Sequence, residues 1–175
     1  MNFVLTWPML VAISVLAYSV SVILQKRILR SKTVDPVAIS FAFQFLGGIV
    51  ISIAAIIHGF VLPDFAQYWP NFLLMMALYS VGNIFIFKAV KIIDASTLTI
   101  LFTSRALWTI VGAMLFLGEM FTAARALGTA LIIASIVVIA WQKQQLNLGR
   151  GELYSLFGAL CFGFAFVNDS FIVRG

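Results

Sequence analysis

Apolar residues run through this chain in long blocks, and most of the charged residues fall between the blocks. Six such blocks can be drawn, at Trp7–Leu24, Pro36–Ile57, Phe72–Val90, Ala95–Leu117, Ala126–Trp141 and Leu153–Val173. Each approaches the roughly 20 residues that an α-helix needs to cross the hydrocarbon of a bilayer. Strands of a membrane barrel would be half as long and alternate in polarity, whereas Ile49-Val50-Ile51-Ser52-Ile53-Ala54-Ala55-Ile56-Ile57 does not alternate. Inside lipid every backbone N–H and C=O must be satisfied within the chain, which leaves helices. The pattern therefore predicts an all-α, polytopic membrane helix bundle. Its connections are short, so consecutive helices pack as antiparallel neighbours and no soluble domain remains. The tightest link is Lys88–Asp94. The longest is His58–Pro70, punctuated by Pro63 and Pro70, and Trp7, Tyr68, Trp69 and Trp141 fall where interfacial aromatics are expected.

Composition supports the lipid bilayer as solvent. Hydrophobic residues make up 63% of the chain and charged ones 10%, against about 45–50% and about 25% in soluble domains. Lys and Arg outnumber Asp and Glu by 11 to 6, a balance that in a soluble protein would suggest nucleic acid. Here the basic residues cluster between apolar runs, so they report topology and no nucleic-acid partner is expected. Lys26, Arg27, Arg30, Lys32, Lys88, Lys91, Lys143 and Arg150 fall in the first, third and fifth connections, and Arg125 and Arg174 on the opposite side. The positive-inside rule then puts the odd connections in the cytoplasm and the N-terminus outside. Met1–Trp7 has no charged side chain, so the first run does not read as a cleaved leader. Cys161 lies inside an apolar run and reads as an inert buried thiol.

The first and sixth runs resemble each other. At an offset of 144, Ser14-Val15-Leu16-Ala17-Tyr18-Ser19 lies over Gly158-Ala159-Leu160-Cys161-Phe162-Gly163, small on small and aromatic on aromatic, and Ile28 and Arg30 meet Ile172 and Arg174. Five spans separate the copies, so the second would be inserted upside down, as in the inverted repeats of secondary transporters. On this reading residues 1–145 are a five-helix repeat and residues 146–175 begin a second one. Four more spans would then be expected, either as a missing second repeat or as a second copy of the chain.

Arg105 carries the most chemical information, because a charge near the middle of a span costs at least about 2.5–3.5 kcal/mol. At 100° per residue it shares a face with Thr97, Leu101, Ser104, Trp108, Thr109 and Gly112. The other spans offer comparable stripes: Met76, Tyr79, Ser80, Asn83 and Phe87; Ser40, Gln44, Gly47 and Gly48; Ser14, Tyr18, Ser21 and Gln25. Together they are expected to line a central cavity. There Arg105 would hold a carboxylate or phosphate by paired hydrogen bonds, with Tyr79 or Trp108 stacking on an apolar group. Tyr18, Gln44, Tyr79, Asn83, Arg105 and Trp108 are the candidate ligands of a small anionic or zwitterionic solute. The alternatives are structural: Arg105 paired with a helix carbonyl, Asp169 or Glu119; Asn83 and Gln44 as interhelical glue; Tyr18 and Trp108 as core. Asp169 is the candidate ion-coupling group, or else an interfacial residue beside Arg174. No His-Glu-x-x-His pattern, Cys pair or paired intramembrane aspartates occur, so no metal site, cofactor or intramembrane protease is expected. No Gly-rich phosphate loop points to ATP-driven pumping.

The stretch Phe87–Ala140 resembles the EamA-type branch of the drug/metabolite transporter superfamily. The residues that carry the resemblance are Lys88-Ala89-Val90-Lys91-Ile92-Ile93-Asp94-Ala95-Ser96, then Phe116-Leu117-Gly118-Glu119 with Phe121-Thr122, and Leu127-Gly128-Thr129-Ala130-Leu131-Ile132. More loosely, it extends over the whole chain as one five-helix repeat plus the first helix of the next. It implies a ten-helix transporter of small metabolites working by alternating access, multi-pass in a cell membrane, such as a bacterial or archaeal plasma membrane. Two departures stand out. Many members have both termini in the cytoplasm, and the fourth span commonly carries a Pro near the positions held here by Arg105 and Ala106. The competing reading is a non-transporting membrane subunit or scaffold, whose polar stripes would be filled by mutual hydrogen bonds.

Overall fold

A computed structural model describes residues 7–60, 65–142 and 149–174. Pro63, Lys143 and the expected repeat boundary after residue 145 lie outside them. The described residues form helices and no strands: α1 (Trp7–Leu29), α2 (Pro36–Ile57), α3 (Phe65–Ile92), α4 (Ala95–Thr103), α5 (Arg105–Leu117), α6 (Ala123–Gln142) and α7 (Arg150–Arg174). Helices α1, α2, α3, α7 and the α4–α5 pair are each long and apolar enough to cross a membrane, and α6 is a shorter apolar helix over Ala123–Val138. The polytopic helix bundle expected from the sequence is what the structure shows.

Local sequence explains the ends. Pro36 opens α2 behind Asp35, whose Oδ1 accepts the Val37 N–H at 2.9 Å. That helix closes in a Schellman turn: Gly59 sits at φ 69°, its N–H reaches the Ile56 carbonyl and the Phe60 N–H the Ala55 carbonyl. Gly118, at φ 64°, ends α5 the same left-handed way.

Two boundaries differ from expectation. The loop predicted to run to Pro70 is helical from Phe65, because proline's fixed φ is itself helical and Pro70 removes one N–H without stopping the helix. Tyr68, near the start of this helix, is buried. The fourth span is interrupted at Ser104, whose N–H and Oγ both turn back to the Leu101 carbonyl, at 3.1 and 2.7 Å. The irregularity falls immediately before Arg105, and the serine hydroxyl occupies a backbone carbonyl within it.

Helix α7 is the most enclosed, packed between α3 on one side and α4–α5 on the other. Small residues make this possible: Gly151, Ser155, Gly158, Ala159, Gly163 and Ala165 are all buried. Helices in lipid gain mainly from close packing, and residues without bulk let backbones approach. Val22, Leu29, Phe87, Val90, Ile93, Leu98 and Leu101 form an apolar core at one end of the bundle.

Basic side chains hold both ends of the bundle. At one end Lys26 Nζ donates to the Val90 and Ile93 carbonyls at 2.8 and 2.7 Å, capping α3, and Lys91 Nζ donates to the Val34 carbonyl. At the other end Glu119 binds both Arg125, at 2.5 Å, and Arg174. Both guanidinium groups hold the Glu119 carboxyl below the usual carboxylate range, Arg174 most strongly.

Candidate functional site

The break in the fourth span places Arg105 at the start of α5, half-buried and pointed at aromatic rings. Its Cζ lies 4.6 Å from the ring centre of Phe102 and 5.4 Å from that of Phe166. Among the described residues the guanidinium makes no hydrogen bond and no ion pair. Ring faces attract a desolvated cation by about 2 kcal/mol, which offsets the cost of holding it in the span without neutralising it.

Tyr79 on α3 donates its hydroxyl to Asp169 Oδ2 on α7 at 2.5 Å, while Asp169 Oδ1 is buried and has no hydrogen-bond partner among the described residues. The Tyr79 ring also meets Phe162 and Phe166 edge-on, at 5.4 and 6.3 Å between centroids, and Phe102 meets Phe162 at 5.2 Å. One aromatic core thus holds a cation without an anion and a carboxylate with one oxygen unpartnered, with Phe166 touching both Arg105 and Tyr79.

The candidate residues therefore divide. Tyr79 and Asp169 are bonded directly and Arg105 joins them through Phe166, whereas Tyr18 on α1 is exposed. Trp108 lies one turn beyond Arg105 with its Cβ against Gly163, a packing position. Asn83 is half-buried one turn along α3 from Tyr79, and its side chain makes no hydrogen bond among the described residues. Gln44 is engaged elsewhere: it donates to Ser40 Oγ at 3.5 Å and lines a groove of α2 residues with Phe45, Gly48 and Ser52. The α1 stripe is likewise partly used up within its own helix, Gln25 donating to Ser21 Oγ at 3.1 Å. Neither structural pairing offered for Arg105 with a carboxylate is present, since Glu119 is taken by Arg125 and Arg174 and Asp169 by Tyr79.

A cavity of about 410 Å³ opens on a different face of α7, lined by Asn71, Leu74, Leu78, Phe116, Phe164 and Val167 among others. It contains none of the residues expected to surround the solute. Sequence reasoning missed Phe102 and Phe166, the rings against Arg105, and Phe162, which packs on Phe102, Tyr79 and Phe166. The signal was present, since Phe162, Phe166 and Asp169 recur at helical spacing and Phe102 lies one turn before Arg105.

A bundle of membrane-spanning helices around a half-buried, unneutralised arginine defines an integral membrane protein with a polar, aromatic interior. The model of the EamA-like transporter family matches residues 5–141, and the chain belongs to that family, a family of membrane transporters of small solutes. No curated protein and no solved structure matches the chain.

Proposed function

We propose that this chain carries a small anionic or zwitterionic solute, such as an amino acid or a related compound, across a cell membrane by alternating access. The observation that supports this reading is the unneutralised charge pair in the aromatic core. A carboxylate on the solute would complete the Arg105 guanidinium, a cationic group would meet Asp169 Oδ1, and an apolar side chain would lie among Phe102, Phe162 and Phe166. Each of these groups loses water on burial, so a ligand that supplies both missing partners gains more than one that supplies either. Tyr79 orients the Asp169 carboxylate.

Asp169 is the coupling candidate, because it is the acidic group in contact with this core. The transport path is completed by a second five-helix unit, a further repeat or a second copy, rocking against the first about the Arg105 site. A plasma membrane is the expected location.

The test is counterflow in vesicles containing the full chain and loaded with phenylalanine. Phenylalanine itself should exchange, whereas phenethylamine, which lacks the carboxylate, and 3-phenylpropanoate, which lacks the ammonium, should exchange poorly. Equal exchange of all three would remove the charge pair from recognition.

A further inference from the structure

Thr109 on α5 and Gly163 on α7 meet at the backbone of Arg105. The Thr109 hydroxyl donates to the Arg105 carbonyl at 2.9 Å and lies 3.3 Å from the Gly163 carbonyl, so one proton is shared between the two helices. Gly163 permits this approach. A Cβ there would stand 2.4 Å from the Trp108 Cβ, 2.8 Å from the Arg105 carbonyl oxygen and 3.1 Å from the Thr109 nitrogen. All three are fixed by the backbone and cannot rotate away, so α5 and α7 would have to separate until 2.4 Å became the 3.4 Å of ordinary contact. Phe166 lies one turn beyond Gly163, and Asp169 one turn beyond Phe166. The Thr109–Gly163 contact therefore sets the register between the guanidinium on α5 and the ring and carboxylate it faces on α7.

We infer that Thr109 and Gly163 are positioning residues that fix the Arg105 guanidinium over Phe166. As a statement about transport the inference rests on Arg105 holding the solute's anionic group; as a statement about geometry it stands on its own. The displacement that a side chain at 163 forces exceeds the tolerance of about 0.5 Å within which preorganised sites keep their function.

The experiment separates the two levels. In full-chain protein carrying ¹⁵N-arginine, the Arg105 Nε–H resonance is assigned by its loss in Arg105→Lys, and ring currents from Phe102 and Phe166 displace it. It should move in Thr109→Val and in Gly163→Ala, and return in Thr109→Ser. It should stay in place in Gly128→Ala on α6, where an added Cβ meets nothing within 4 Å. In vesicles, the half-saturating phenylalanine concentration should rise about tenfold in Thr109→Val with little change in maximal rate, and Thr109→Ser should restore it. An unmoved resonance in Thr109→Val, or an equal movement in Gly128→Ala, overturns the positioning role. A moved resonance with unchanged half-saturation leaves the geometry intact and overturns the link to solute binding. Should Gly163→Ala fail to fold, the Thr109 pair decides the matter alone.

Discussion

The tie between α3 and α7 near the cavity makes an asymmetric prediction. Asn71 Nδ2 donates to Asn168 Oδ1 at 2.8 Å, and Asn168 Nδ2 donates to the Asn71 backbone carbonyl at 2.9 Å. Asn71→Ala therefore removes one of the two bonds, because the backbone acceptor stays, while Asn168→Ala removes both. Interhelical hydrogen bonds in membrane bundles average about 0.6 kcal/mol and reach at most about 1.7 kcal/mol. The expected losses are then about 0.6 kcal/mol for Asn71→Ala and about 1.2 kcal/mol for Asn168→Ala, with a further packing loss at the latter, which is buried. In a double-mutant cycle only the side-chain to side-chain bond couples, so the coupling energy should be about 0.6 kcal/mol, whatever the packing term. The measurement is reversible unfolding in mixed micelles of the two single variants and the double. A loss at Asn71 equal to or larger than that at Asn168, or a coupling energy near zero, would refute the assignment of donors and acceptors.

Two further expectations follow from the ends of the bundle. Glu119 has a folded-state pKa held below its unfolded value by Arg174 and Arg125, so its contribution is complete above the unfolded carboxylate pKa of about 4.3 and disappears as pH falls through the folded value. Unfolding measured against pH should show a steeper acid limb for the parent than for Glu119→Gln; identical limbs would mean that the ion pairs do not hold in the bilayer. Lys26→Met keeps the apolar stem but deprives the Val90 and Ile93 carbonyls of their donor. It should cost about 1.5–3 kcal/mol and speed hydrogen exchange at the C-terminal end of α3, whereas unaltered exchange there would show that water replaces the lysine.

How much of this was legible in the sequence depends on the range of the interaction that decides it. The spans, the helix starts at Pro36 and Ala95 and the sorting of basic residues to two ends follow from run length and from charges that cannot lie in hydrocarbon, both local properties. The helical start at Phe65 was not legible, since Pro70 reads as punctuation although its backbone angle suits a helix. Arg105 was visible as a charge in the wrong solvent, and Tyr79 and Asp169 as polar residues on spans. That Tyr79 binds Asp169, and that Arg105 faces rings instead of a carboxylate, depends on how α3, α5 and α7 rotate against one another. That rotation is set by Gly82, Gly112, Gly158 and Gly163 meeting side chains and backbone across the interface, contacts that no single-helix periodicity encodes. Gln44 illustrates the converse, a residue on a plausible stripe whose amide is satisfied one turn away on its own helix.

Solute flux in vesicles containing the full chain, compared between the parent and Arg105→Ala, bears on the whole reading. The site described here predicts that phenylalanine flux in the variant falls to the level of protein-free vesicles while the protein remains monodisperse and folded. Undiminished flux in Arg105→Ala would contradict it, and would mean that the arginine is held among Phe102 and Phe166 for packing alone.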